Sequence, residues 1–318
     1  MTLALVTFLL IGSNELDYAP KLGALATSSV PSVSLKDAKR DKTVDFRVTF
    51  PKSGGPYPLI VLCHGLGGSK DGLLPLSEPW ASHGYVVIQP SFSDSFQYMS
   101  QEEKLDFLRA KNPKFGDWKS RPQDVSFLID SLGAIETKVP GLKGKIDRTR
   151  IGVGGHSFGA HTSMLIGGVE PRTLQGRESL RDKRVLAVAV ISGQGRGPQF
   201  DATSFEKLAV PMICISGTED RDPFGRQTPE RRQDPFLLAP KGDKYLVWIQ
   251  GAHHGFGGIN GRIAWPGSGG ANETHVSIVR ASTLAFWDAY LKGDPNGKQY
   301  LASNRLTKAA REVELTRR

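Results

Sequence analysis

Three short stretches of this 318-residue sequence carry residue types suited to nucleophilic chemistry. Gly155-His156-Ser157-Phe158-Gly159 has the form G-x-S-x-G. Ser216-Gly217-Thr218-Glu219-Asp220 offers two carboxylates, with a third at Asp222. Gln250-Gly251-Ala252-His253-His254-Gly255-Phe256 offers two imidazoles. A serine hydroxyl attacks only when a base takes its proton, and the base works only when an acid orients it. Ser157 is therefore the candidate nucleophile. Its base is His253 or His254, and its acid one of Glu219, Asp220 and Asp222. Attack on a carbonyl also creates an oxyanion, which needs two preorganised N–H donors. Phe158, directly after the serine, supplies one. The glycines of His64-Gly65-Leu66-Gly67-Gly68 let another loop turn its amides the same way, and Leu66 is the expected second donor.

Stretches this far apart meet only on a scaffold that sets them at neighbouring strand ends. Residues 43–50 alternate, with Val44, Phe46, Val48 and Phe50 on one face, as in a half-exposed strand. Residues 59–63, 85–88, 151–153, 185–191, 212–215 and 245–249 are almost unbroken apolar runs, as strands covered on both faces are. Between them, Val125, Leu128, Ile129 and Leu132 keep helical spacing after Pro122. Val279, Thr283, Phe286, Trp287 and Tyr290 stripe a long C-terminal helix that stops near Gly293. This alternation predicts an α/β fold, a mostly parallel central sheet of about eight strands with helices on both faces. The pentapeptide alone is a weak signal. Here a strand at 151–153 leads into it and a helix at 160–166 leaves it, which is the setting the motif requires. In such a turn a Cβ at position 155 or 159 would collide with backbone, and the serine would stand at a helix N-terminus. The acid and base stretches each follow a later strand, in the order that this setting prescribes. Segments 91–121 and 219–243 also leave C-terminal strand ends, where open α/β sheets build their sites.

On these residues the chain resembles the serine-type α/β-hydrolases related to dienelactone hydrolase, platelet-activating-factor acetylhydrolase and the cutinase-like polyesterases. The resemblance runs over roughly residues 32–300. It is carried by His64-Gly65-Leu66-Gly67, by the Ser157 pentapeptide, by Gly217-Thr218-Glu219-Asp220 and by Gly251-Ala252-His253-His254. In those families the acid ends a G-x-x-D turn and the base a G-x-x-H turn, which implies Asp220 and His254 here. The chain departs from dienelactone hydrolase itself, whose nucleophile is a cysteine. The resemblance implies an α/β-hydrolase fold with a shallow site, and hydrolysis of short to medium acyl esters through an acyl-enzyme. Polyesters are an extension of that substrate range, and no cofactor is needed. Two other readings stand beside it. One is a serine peptidase or amidase on the same trio, although no propeller or peptide-binding domain is visible. The other is a non-catalytic binding protein of hydrolase fold; such proteins usually lose a triad member, and this chain has all three.

The remaining chemistry-bearing residues have plainer readings. His64 and His156 read as hydrogen-bonded packing residues, and His161 and His275 as helix residues. No histidine pair has ligand spacing beside a carboxylate, so no metal is expected. Cys63 and Cys214, late in the third and seventh strands, read as buried free thiols. Trp265, Phe96 and Tyr98 either line the substrate pocket or anchor their loops; no other substrate-binding residue can be named. The net charge of +9 is spread along the chain without zinc-finger, RNA-binding or basic-zipper patterning, so no nucleic acid is expected. No apolar run approaches the ~20 residues of a membrane-spanning helix. Residues 1–31 read as an N-terminal segment. Its apolar run at 3–11 and its Ala24-Leu25-Ala26 have features of a secretion signal, which implies a secreted or periplasmic protein, with a cytoplasmic one as the alternative. Residues 32–304 read as one domain and 305–318 as a polar basic tail. A monomer is expected, with a small-molecule or polymeric ester as its partner.

Overall fold

Unbroken apolar strands need cover on both faces, and the structure supplies it. The computed structural model describes residue 18 and residues 22–109, 118–222, 224–261 and 267–318. The apolar run at 3–11 and Trp265 lie outside the described residues. The strands of the central sheet are β1 (Thr27–Asp37), β2 (Lys42–Pro51), β3 (Tyr57–Cys63), β4 (Val86–Ser91), β5 (Ile146–His156), β6 (Val185–Ile191), β7 (Met212–Glu219), β8 (Lys244–His253) and β9 (Val313–Arg317), and a separate short hairpin pairs Arg172–Thr173 with Gly176–Arg177. They form one nine-stranded sheet in the order β1-β2-β4-β3-β5-β6-β7-β8-β9. The six from β4 to β8 are parallel, while β1, β2 and β9 are antiparallel to their neighbours. Odd and even residues of the central strands enter two separate apolar cores. Leu59, Val61 and Cys63 of β3 face one core, and Ile60 and Leu62 face the other. The first core is closed by helices α2 (Ser120–Asp130) and α3 (Phe158–Gly167). The second is closed by α1 (Leu74–Ser82) and α4 (Glu273–Trp287), whose Trp80 and Trp287 meet edge to face at 5.9 Å.

The strand order reverses at β3. The chain passes from β3 outward to β4 and then returns to form β5 on the other side of β3. Loops leaving the C-terminal ends at such a switch point diverge and leave a crevice. Cys63 of β3 is paired with Gly155 of β5, so the glycine loop and the serine turn leave the sheet side by side.

Two boundaries differ from expectation. β1 begins at Thr27, inside the segment read as N-terminal to the domain. Residues 305–318 are not a tail. Arg305–Ala309 is helical, with Leu306 buried, and Val313–Arg317 is a ninth strand on the edge of β8, with Val313 buried. The charged residues around Val313 and Leu315 hide a period-two pattern only five residues long. Removing residues 311–318 strips β8 of this partner and uncovers apolar surface beneath it. Deletion is expected to lower the melting temperature by roughly 5 °C in a thermal unfolding scan; an unchanged transition would show that β9 contributes nothing.

Candidate active site

The turn between β5 and α3 sets the site. Ser157 has φ 56° and ψ −116°, a left-handed backbone that costs a non-glycine residue about 1–3 kcal/mol. The glycines on either side allow it. A Cβ at Gly155 would lie 2.4 Å from the Gly159 carbonyl, and one at Gly159 would lie 2.0 Å from the Cys63 oxygen. The serine stands at the α3 N-terminus, where the helix dipole favours negative charge. Its own amide is tied down, donating to the Ile191 carbonyl at 2.9 Å.

Ser157 Oγ lies 3.0 Å from His254 Nε2, and His254 Nδ1 lies 2.7 Å from Asp220 Oδ1. A carboxylate only accepts, so Nδ1 carries the proton and Nε2 is free to accept from the serine. The alternatives fall elsewhere. His253 is exposed and lies against Gly269. Glu219 is loosely paired with Arg221 at 3.8 Å. Asp222 caps its own turn, accepting from the amides of Phe224 and Arg226. Asp220 is wholly buried and takes hydrogen bonds from Ser192 Oγ at 2.9 Å and Ser216 Oγ at 2.7 Å. Arg232, also buried, stands 3.2 Å from its Oδ1. Burial alone would raise the carboxyl's pKa. The Arg232 charge and the hydrogen bonds from His254 and Ser216 outweigh it and hold the group well below the usual range.

The glycine loop is braced from beneath by Arg121. Its guanidinium donates to the His64 carbonyl at 2.7 Å and the Gly65 carbonyl at 3.3 Å, and grips both Asp94 oxygens at 2.9 and 2.6 Å. It is stacked between the rings of Phe92 and Phe158, 4.3 Å from each. Asp94 in turn accepts from the Gly67 amide at 3.3 Å. Leu66 and Phe158 both line the cavity beside Ser157, and no described residue accepts from the Leu66 amide. Phe158 therefore shares its wall of the cavity with the other expected donor.

That cavity, of about 460 Å³, opens over the strand ends. Trp118, Phe158, Phe200 and Phe224 give it aromatic walls. Phe224 belongs to segment 219–243 and meets Phe107 of segment 91–121 edge to face at 6.3 Å, so the two long segments touch above the sheet. Phe96 and Tyr98 do not line the cavity. Phe96 packs over Gly67, and Tyr98 donates to Asp45. Among the described residues no three His, Cys, Asp or Glu side chains come together as metal ligands, and Cys63 and Cys214 are free and buried. No described helix is long and apolar enough to cross a membrane. Arg232, Arg121, Asp94 and Ser192 were invisible in the sequence. Arginines and an aspartate in polar segments look like solvated loop residues until their burial is known.

His64 and His156 are buried and hydrogen-bonded, as packing residues are, and His161 lies in helix α3. His64 Nε2 accepts from the Phe92 amide at 3.0 Å, His156 Nε2 donates to the His254 carbonyl at 2.7 Å, and His161 bonds Gln199. Burial is the main cause that pushes their pKa values down, to about 3, about 3 and about 4.

No protein-family model matches the chain. It is similar to platelet-activating factor acetylhydrolase of Cavia porcellus, 21% identical over 285 residues that cover 78% of this chain and 61% of that protein. It is also similar to platelet-activating factor acetylhydrolase of Bos taurus, 27% identical over 141 residues, or 35% of this chain and 32% of that one. The chain thus spans less than two thirds of the length of these relatives. Among solved structures, a ferulic acid esterase from Streptomyces cinnamoneus superposes with a TM-score of 0.66 at 19% identity, covering 94% of this chain and 99% of that one. The fold is that of the α/β-hydrolases.

The buried histidines make the fold sensitive to acid. A histidine whose folded pKa lies below its unfolded value of about 6.5 gains a proton on unfolding, so its stabilising effect is complete above pH 6.5 and is lost as pH falls toward the folded value. With folded values of about 3 to 4, stability is expected to be level above pH 6.5 and to drop steadily between pH 6.5 and about 4. Calorimetric melting temperatures across that range test this; a flat profile down to pH 4 contradicts it.

Proposed function

We propose that this protein hydrolyses carboxylic esters through a serine acyl-enzyme. One observation carries the reading: the hydrogen-bonded chain from Ser157 through His254 to Asp220, with its serine end in the cavity. The likeness to two acetylhydrolases and to the fold of an esterase supports it. Ser157 Oγ attacks the ester carbonyl while His254 Nε2 takes its proton. The oxyanion is received by the N–H groups of Leu66 and Phe158. The protonated His254 then gives its proton to the leaving alkoxide as the C–O bond breaks. Water, deprotonated by the same nitrogen, attacks the acyl-enzyme and frees the acid and the serine. Asp220 stays ionised and offsets the imidazolium in both halves of the cycle.

The preferred substrates are short to medium acyl esters. A cavity of about 460 Å³ lies at the small end of ligand sites, and its aromatic walls favour apolar or planar acyl groups. Aromatic or aliphatic polyesters are the wider extension of this range. All of these proposed roles fall within one domain, the sheet and its helices.

Variants and substrates test the two halves separately. Ser157→Ala, Asp220→Asn and His254→Ala are each expected to lower kcat by about 10⁴-fold, while Asp222→Asn and His253→Ala cost about tenfold or less. Near-normal turnover in folded Ser157→Ala would remove the mechanism. Across a p-nitrophenyl ester series, kcat/KM is expected to peak below about ten acyl carbons. A rise beyond that length would overturn the substrate range, and an untouched polyester film would remove only the extension.

A further inference from the structure

The residue that links the acid turn to the rest of the site is Arg232. It lies in the single turn Glu230–Gln233, twelve residues after the proposed acid in the same long segment. Its Nε donates to the Asp220 carbonyl at 2.9 Å and stands 3.2 Å from Asp220 Oδ1. Its other fork donates to the carbonyls of Ser192, at 3.0 Å, and Gly193, at 3.3 Å. Ser192 follows β6 and Asp220 follows β7, so one planar group ties two adjacent strand ends together. Ser192 is itself held at φ 58° and places its hydroxyl against both Asp220 Oδ1 and His254 Nδ1. The turn has been brought close on purpose-built backbone. A Cβ at Gly195 would lie 1.9 Å from the Arg231 oxygen, and Asp234 clasps the Arg196 amide at 2.7 Å.

We propose that Arg232 is a positioning residue for the reaction, fixing Asp220 in line with His254 and limiting, by its charge, how strongly that carboxylate holds a proton on the base. This rests on the triad reading above. The physical reason is the depth of the pair. A carboxylate with no exposure, deprived of its guanidinium, is an uncompensated buried charge. It relieves itself either by taking a proton, which costs Nδ1 its acceptor, or by drawing a proton onto His254, which removes the base. Both outcomes remove activity from the acid side first. The other charged or titratable groups around this point do not replace Arg232. His156, whose ring centroid lies 4.8 Å from that of His254, is kept neutral by burial, and Asp234 is taken up by Arg196.

The test is the pH profile of kcat/KM on a soluble p-nitrophenyl ester, together with kcat and KM at the plateau, for Arg232→Gln and Arg232→Lys. Arg232→Gln is expected to lower kcat by about 10²-fold with KM within about twofold, and to move the acid limb up by about one pH unit. Arg232→Lys keeps the charge and loses the fork. It is expected to leave the limb in place and recover about tenfold of the lost kcat. Wild-type kcat and an unmoved limb in folded Arg232→Gln overturn the proposal, as do equal losses in both variants with the limb unmoved. If Arg232→Gln does not fold, Arg232→Lys decides: a loss of about tenfold in kcat supports the proposal and wild-type kcat overturns it. Labelling by a fluorophosphonate, present in the wild type and absent in Ser157→Ala, reports on the triad reading independently of either outcome.

Discussion

The site depends on one close approach of backbone to backbone. The helix that follows Ser157 starts so near the end of β3 that position 159 has no room for a single methyl group, because the Cys63 oxygen fills the space. That contact sets the serine beside the glycine loop at the place where the strand order reverses, and it holds Ser157 in its left-handed backbone. With the serine fixed there, the ends of β7 and β8 deliver a carboxylate and an imidazole at hydrogen-bond distance. The strain of the turn is local, and the two cores above and below the sheet are what hold it in place.

Much of this could be read from residue order alone, for an identifiable reason. Parallel strands buried on both faces leave unbroken apolar runs, and glycines forced by steric contact leave a fixed spacing around Ser157. Both marks survive in one dimension. The choice of Asp220 over Glu219 and Asp222 came from resemblance to known turns; of the three, Asp220 is the one that is wholly buried. Arg121, Arg232 and Asp94 left no mark, because a long-range ion pair has no spacing. Their segments are polar, and polarity there reflects buried pairs as well as solvated loops. The final strand was missed for a different reason. Five residues with two charges carry too short a pattern to separate a strand from a tail.

The electrostatics of the site follow one plan. Two guanidiniums are buried at the site, and each is bound to a carboxylate and to backbone carbonyl oxygens. Three imidazoles beside them are neutral. The polar groups around the serine are therefore already oriented, so that in the proposed reaction little reorganisation is left for the moment when charge develops. Burying two ion pairs is a poor route to stability, since replacing such pairs with apolar groups is often neutral or better. Their placement under the glycine loop and behind the acid gives them a geometric role instead.

The last strand also determines how the molecule can be attached to something else. Because β9 runs antiparallel to β8, Arg317 is paired with Tyr245 at the start of that strand, and Arg318 bonds Lys244. The cavity lies at the other end, where β8 delivers His254. Ten residues of extended chain separate the two, about 30 Å at a strand's rise per residue. Whatever lies beside position 318 is thus a strand's length from the cavity, and bulk added there leaves the mouth of the cavity open.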